Sequence, residues 1–199
     1  MFKSQRSVAR RAVALAAISA VAVSALIAST LSAQVIAGAG ALAVGQPAPD
    51  FTIKQVNVSG AMAKPFRLSE HKGETVVLAF FPKARTQGCT VQMESYRDKY
   101  STLMHDGRKV TLLSISVDAD TVLQSWIKDA KFQFNFGSDE DRAVGLKYGA
   151  SSGTGGHKRI LYVINPDGKI GYVASPFKQL AAEAYTELGA AIDKASGMH

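Results

Sequence analysis

The sequence predicts an α/β domain built on a central mixed, mostly parallel sheet flanked by helices. Three observations carry this prediction. Residues 76–81 (Val-Val-Leu-Ala-Phe-Phe) and 110–117 (Val-Thr-Leu-Leu-Ser-Ile-Ser-Val) are strand-length runs rich in apolar and β-branched residues, the pattern of strands covered on both faces. Segments of helical spacing alternate with such runs, which is how parallel strands are connected. Late in the chain, Asn165-Pro166-Asp167-Gly168 marks a hairpin, since Asp-Gly supports the positive φ that a tight turn requires.

The elements follow in order. Residues 1–11 are basic and hold no acid, and residues 12–28 are Ala, Val, Leu and Ile broken only by Ser19 and Ser24. Small residues then run through Ala39. Basic, apolar and small regions in that order describe a secretory signal peptide over 1–39. Cleavage after Ala39 or after Ser32 fits the small-x-small rule. The alternative is an uncleaved anchor, because apolar character continues to Val44 and the run is long enough to cross ~30 Å of hydrocarbon. Its alanine richness makes it a poor anchor and favours removal. The Arg10-Arg11 pair is compatible with twin-arginine export. Under every one of these readings, the domain at 40–199 is exported, periplasmic or secreted, or anchored in the membrane with the domain outside.

Gly45-Gln46-Pro47-Ala48-Pro49-Asp50 is an extended lead-in, because each proline disfavours helix in the residue before it. Residues 51–58 alternate imperfectly and suggest an edge strand, residues 60–65 a turn, and Ser69 an N-cap. The buried strand at 76–81 precedes a helix over 91–104. After the strand at 110–117, Asp120 or Thr121 caps a helix carrying Val122, Leu123, Trp126 and Ile127. A short strand at 132–136, a helix at 139–148 stopped by Gly149, a strand at 159–165, the hairpin return at 169–174 and a helix at 179–195 complete the domain.

Composition narrows the function. Of 199 residues, 47% are hydrophobic and 20% charged, ordinary for a globular chain. The net charge of +7 has four of its charges in Lys3, Arg6, Arg10 and Arg11. No basic run follows, so no nucleic-acid partner is expected. One cysteine excludes an intrachain disulfide, a CxxC pair and a cysteine-rich zinc site. No metal or cofactor is expected, since His71, His105, His157 and His199 lack ligand spacing and read mostly as surface residues. Asp118, Asp120, Asp139, Glu140 and Asp141 read as caps and solvated turns. Residues 151–156, rich in Gly and Ser, read as a mobile loop, because no Gly-Lys-Ser/Thr follows to make a phosphate loop.

The lone cysteine, Cys89, lies just after a buried strand and at the start of a helix. Open α/β sheets gather ligands at the carboxyl ends of their strands, and a helix N-terminus offers free N–H groups and partial positive charge. Both favour a reactive thiolate. A small buried hydrophobe is the competing reading of a free cysteine. Its surroundings read Phe80-Phe81-Pro82-Lys83-Ala84-Arg85-Thr86-Gln87-Gly88-Cys89-Thr90, that is, Pro-x-x-x-Thr-x-x-Cys.

This motif resembles the active site of the peroxiredoxins, thiol peroxidases of thioredoxin-like fold. Gly88-Cys89-Thr90 followed by Tyr96-Arg97-Asp98, and the later Arg159-Ile160-Leu161-Tyr162 with its hairpin, are most similar to the peroxiredoxin Q, or bacterioferritin comigratory protein, subgroup. The likeness covers roughly residues 44–195. It implies that Cys89 is the peroxidatic nucleophile and that Thr86 Oγ1 hydrogen-bonds thiolate and peroxide. Pro82 would shield the sulfur, and Arg159 would arrive from a distant strand to stabilise the thiolate and hold the peroxide oxygens. The product would be a Cys89 sulfenic acid. Substrates would be hydrogen peroxide or organic hydroperoxides. The reductant would be an external thiol, either thioredoxin-like, glutaredoxin-like or of low molecular weight, and the protein a monomer or homodimer.

Two positions depart from the subgroup. Many members carry a resolving cysteine five residues after the first, and Glu94 stands there, which implies a one-cysteine cycle or an intermolecular Cys89–Cys89 bond. An acid is common three residues after the cysteine, and Gln92 stands there. Two alternatives remain beside a peroxidase: a thiol-disulfide oxidoreductase on the same fold, which the single cysteine argues against, and a non-catalytic redox sensor or binding module.

Overall fold

The computed structural model describes residues 40–198. Residues 1–39, where a signal peptide or anchor and two cleavage sites are expected, and His199 lie outside the described residues. Eight strands form one sheet: β1 (Thr52–Asn57), β2 (Gly60–Ala61), β3 (Phe66–Arg67), β4 (Thr75–Phe80), β5 (Val110–Ser116), β6 (Asn135–Ser138), β7 (Ile160–Ile164) and β8 (Ile170–Ala174). Their order is β2-β1-β6-β5-β4-β7-β8, with β3 paired to β1. The helices are α1 (Gln87–Asp98), α2 (Tyr100–Leu103), α3 (Asp120–Ala130), α4 (Ala143–Lys147) and α5 (Ala182–Ser196).

The α/β class and the mixed sheet are as expected, but parallel pairing is the smaller share. It is confined to β4–β5 and β5–β6, and the other five pairings are antiparallel. The reason lies in the connection over 139–159. It stays at the end of the sheet where β6 finishes, so β7 runs back antiparallel to β4, with Phe80 opposite Ile160. That reversal delivers Arg159 to the carboxyl end of β4.

β4 is buried along its whole length, and its side chains alternate between two cores. Val77, Ala79 and the following Phe81 pack with Met93 and Tyr96 of α1, Trp126 of α3 and Leu188 of α5. Val76, Leu78 and Phe80 face the other way, with Phe51, Phe66, Val144 and Tyr148. Helices therefore cover both faces, the first much more heavily.

Several boundaries move. The helix expected over 91–104 begins at Gln87 and breaks at Lys99, so its first turn contains Cys89. The strand expected at 132–136 starts at Asn135, because Phe132 and Phe134 are taken up by an aromatic cluster with Trp126 and Phe136. Ser69 caps nothing: it lies inside a single 3-10 turn, where its N–H donates to Asp50 Oδ1. Neither Asp120 nor Thr121 caps α3, whose N-cap is Ala119. Residues 60–65 include the short β2, which sits outside β1, so β1 is one strand in from the edge. Among the described residues no helix is long and apolar enough to cross a membrane.

Candidate active site

The site forms where β4 ends. Phe81 N–H still donates to Ile115 of β5, and the chain then leaves the sheet at Pro82, which has no N–H to continue the ladder. The loop that follows hangs from β5 by one side chain. Asp118 Oδ2 accepts the Ala84 N–H at 2.7 Å and the Ser116 hydroxyl at 2.9 Å. Arg85 adopts positive φ there, and its guanidinium donates to Ser125 and Asp129 on α3. It is thus engaged away from the sulfur, and Lys83 is exposed.

Thr86 is the N-cap of α1, with extended backbone angles, and its carbonyl accepts the Thr90 N–H at 2.8 Å. Cys89 is the third helical residue and is fully buried. Its first-turn place sets the sulfur at the positive end of a 12-residue helix. Arg159, immediately before β7, donates from Nη2 to Cys89 Sγ at 3.3 Å. Its Nη1 donates to Gln92 Oε1, and Gln92 Nε2 donates in turn to the Tyr96 hydroxyl at 2.8 Å. Gln92 lies one turn beyond Cys89 on the same face of α1 and is fully buried. Burial pushes the Tyr96 phenol well above its ordinary pKa, so it stays neutral. The Arg159 carbonyl accepts the Phe177 N–H at 3.0 Å, fixing the residue from the β8–α5 side.

The four predicted residues fall as follows. Cys89 and Arg159 meet directly. Thr86 stands at the mouth of the same helix, but its hydroxyl donates to the Lys83 carbonyl at 3.0 Å rather than to the sulfur. A hydroxyl has one proton to give, so in this arrangement only its lone pairs face other groups. Pro82 packs under residue 156: a Cβ on Gly156 would fall 2.2 Å from the Pro82 carbonyl oxygen. The Ser/Gly segment thus lies directly on the loop that carries the motif, and the Arg142 guanidinium holds the Gly155 carbonyl.

The sequence reading missed three supports. Asp118 is not a solvated turn residue but the anchor of the 82–86 loop. Its position two residues past a buried strand, at the end of the sheet that holds Cys89, was the available signal. Asp139 does cap α4, accepting the N–H groups of Val144 and Gly145, but it is buried rather than solvated. His157, read with the surface histidines, is buried against it, with Nε2 3.0 Å from Asp139 Oδ2. Among the described residues no group of three or more His, Cys, Asp or Glu side chains is placed to hold a metal.

Comparison with known proteins follows the same lines. Residues 44–173 match the AhpC/TSA family. Peroxiredoxin Bcp of Escherichia coli K12 is 33% identical over 144 residues, covering 69% of this chain and 88% of that protein. The chloroplastic peroxiredoxin Q of Triticum aestivum is 32% identical over 136 residues, covering 67% of this chain and 59% of that one. Among solved structures, peroxidoxin BcpB of Mycobacterium tuberculosis superposes with a TM-score of 0.65 at 24% identity, over 76% of this chain and 96% of that one. Peroxiredoxin Q of Xanthomonas campestris gives 0.62 at 21% identity, over 73% and 91%. These last two likenesses establish the thioredoxin-like peroxiredoxin fold. By the family match and by the identities to its relatives, the chain belongs to the AhpC/TSA family, alongside the peroxiredoxins of the Bcp and Q kind.

Proposed function

We propose that the protein is a thiol-dependent peroxidase that reduces hydrogen peroxide or organic hydroperoxides at Cys89 by a one-cysteine cycle, outside the cytoplasm. One observation carries this reading: the 3.3 Å approach of the Arg159 guanidinium to the buried Cys89 sulfur at the start of α1. A fixed cation and a helix N-terminus both stabilise negative charge on sulfur, and the thiolate is the nucleophile. The guanidinium is also a preorganised donor for the charge that develops on the departing oxygen.

In the reaction, the sulfur attacks the terminal peroxide oxygen. An S–O bond forms and the O–O bond breaks. The departing oxygen takes up a proton and leaves as water or an alcohol, and Cys89 becomes a sulfenic acid. An external thiol then condenses with it, releasing water and forming a mixed disulfide. A second thiol frees Cys89 and leaves as the disulfide of the reductant. Glu94, at the position where a resolving cysteine would stand, is engaged with Arg97 on the α1 surface and supports this external route. The basic, apolar and small-residue succession at 1–39 supports export.

The test uses the reduced chain lacking residues 1–39, mixed with one equivalent of hydrogen peroxide, with intact mass read within seconds. A stoichiometric gain of one oxygen that a sulfenic-acid trap captures and that Cys89→Ser abolishes is the expected result. A thiol still unreacted after minutes would remove the peroxidase reading and bring the redox-sensor or binding-module reading forward.

A further inference from the structure

His157 is the one histidine of the described residues whose side chain is wholly buried, and its partner Asp139 is buried with it. The ring Nε2 lies 3.0 Å from Asp139 Oδ2. The ring also stands edge-on to Phe80, at 5.6 Å between centroids, the last residue of β4 before the motif loop. The ring also packs closely on Gly145, where a Cβ would fall 2.2 Å from His157 Cε1. Asp139 is itself fixed: its N–H donates to the Ser116 carbonyl of β5, and its carboxylate caps α4. The imidazole is therefore enclosed by Phe80 of β4, Gly145 of α4 and Asp139 just past β6, with Nε2 close to the Asp139 carboxylate but neither ring nitrogen aligned for a full hydrogen bond.

What it grips is the segment between two active-site contacts. One residue earlier, Gly156 lies on the Pro82 carbonyl, and two residues later Arg159 reaches Cys89. Between them the Lys158 N–H donates to the carbonyl of Ala150, three residues past the end of α4, at 2.7 Å. A buried polar pair adds little net stability, because desolvating both groups offsets most of their attraction. What such a pair does supply is one geometry. We propose, building on the peroxidase reading, that His157 is a positioning residue for Arg159. Its clamp to Asp139 sets the start of β7, and so places the guanidinium on Cys89 and on the reacting peroxide. The clamp thereby makes the catalytic arginine part of the sheet end rather than of the loop.

A double-mutant cycle tests this, with peroxide kcat/KM and thermal melting read on the same variants. His157→Ala should slow the wild-type protein by roughly 10- to 100-fold, the scale of misplacing a catalytic group by about 1 Å. The same change in an Arg159→Ala background should cost no more than about twofold, since the group it positions is gone. His157→Gln, which offers Asp139 an amide N–H, should recover most of the loss; a role in packing alone would not be rescued by a smaller polar side chain. Equal losses in both backgrounds, or full activity in His157→Ala, would overturn the proposal. If His157→Ala does not fold, the cycle is run with His157→Gln and His157→Leu. Equal activity of these two folded variants would then overturn it, and a deficit in Leu alone supports it. Failure of the wild-type protein itself to consume peroxide would instead count against the peroxidase reading.

Discussion

Arg159 Nη2 and Cys89 Sγ lie 3.3 Å apart although 70 residues of chain separate them. The contact exists because β7 starts at the end where β4 stops, beside the first turn of α1. Arg159→Ala should therefore leave the sheet intact and lower kcat/KM for peroxide by about 100-fold or more, the loss typical of a single preorganised donor. Arg159→Lys should recover little. A single ammonium does not reach both the sulfur and Gln92 Oε1, whereas the guanidinium fork does. Stopped-flow peroxide consumption on the three proteins checks both statements.

Gln92 stands where a carboxylate is usual, and its amide orders the site without a charge. It accepts from Arg159 and donates to the buried Tyr96 hydroxyl. Gln92→Leu keeps the volume but strips the guanidinium of its acceptor and the phenol of its donor. The expected stability loss is about 1–3 kcal/mol, with a slower reaction at Cys89. Urea unfolding and peroxide turnover measure the two effects separately.

The 82–86 loop depends on Asp118, whose carboxylate takes the Ala84 N–H and the Ser116 hydroxyl. In Asp118→Ala a half-buried N–H loses its acceptor, and the loop holding Pro82 and Thr86 is freed from β5. Melting should show a loss of about 1–3 kcal/mol. Peroxide reactivity should drop further than melting implies, because the loop carries the motif. A variant as active as wild type would show that α1 alone holds Cys89 in place.

The legible part of this protein was the part that local pattern dictates. The apolar run of β4, the Asp-Gly hairpin and the helix after the motif are each written within a dozen residues. Arg159 was found only through a resemblance, since nothing local to it announces a partner 70 residues away. The sheet is less parallel than the alternation of strands and helices suggests, because that alternation does not say at which end of the sheet a connection stays. His157 was missed for a related reason. Its burial comes from Gly145, Phe80 and Asp139, which neighbour it only once β6, α4 and β7 are assembled. The hydroxyl of Thr86 followed the local turn, bonding the carbonyl three residues back instead of the sulfur that the resemblance assigned it.

Gly88 lies beneath the amide of Gln179, where a Cβ would come within 2.9 Å of Nε2 and 3.5 Å of Arg159 Nη2. The near neighbour is the end of a flexible side chain, so it moves cheaply. Alanine is also the better helix former, by up to ~1 kcal/mol. Gly88→Ala should thus melt at or slightly above the wild-type temperature while reacting several-fold more slowly, because the displaced amide moves at the mouth of the site. The same slowing with a lower melting temperature would mean that the helix start, not Gln179, is disturbed.

Asp139 makes acid stability a measurable signature of the sheet end. Burial alone would raise its carboxyl pKa, but the His157 ring and the N–H groups of Gly145 and Val144 outweigh that, and the pKa lies below the ordinary carboxylate value. A carboxyl whose folded pKa is depressed contributes stability that is fully present above its unfolded pKa, near 4. That contribution is lost as the pH falls through the lower folded value. Asp139→Asn removes the ionised group, so the variant should be least stable relative to wild type at neutral pH. The gap should close below about pH 4, as the wild-type carboxylate takes up its proton. Melting curves of both proteins from pH 7 to pH 2 give the test. A gap that stays constant across that range would show that the Asp139 charge contributes nothing to holding α4 and the His157 segment together.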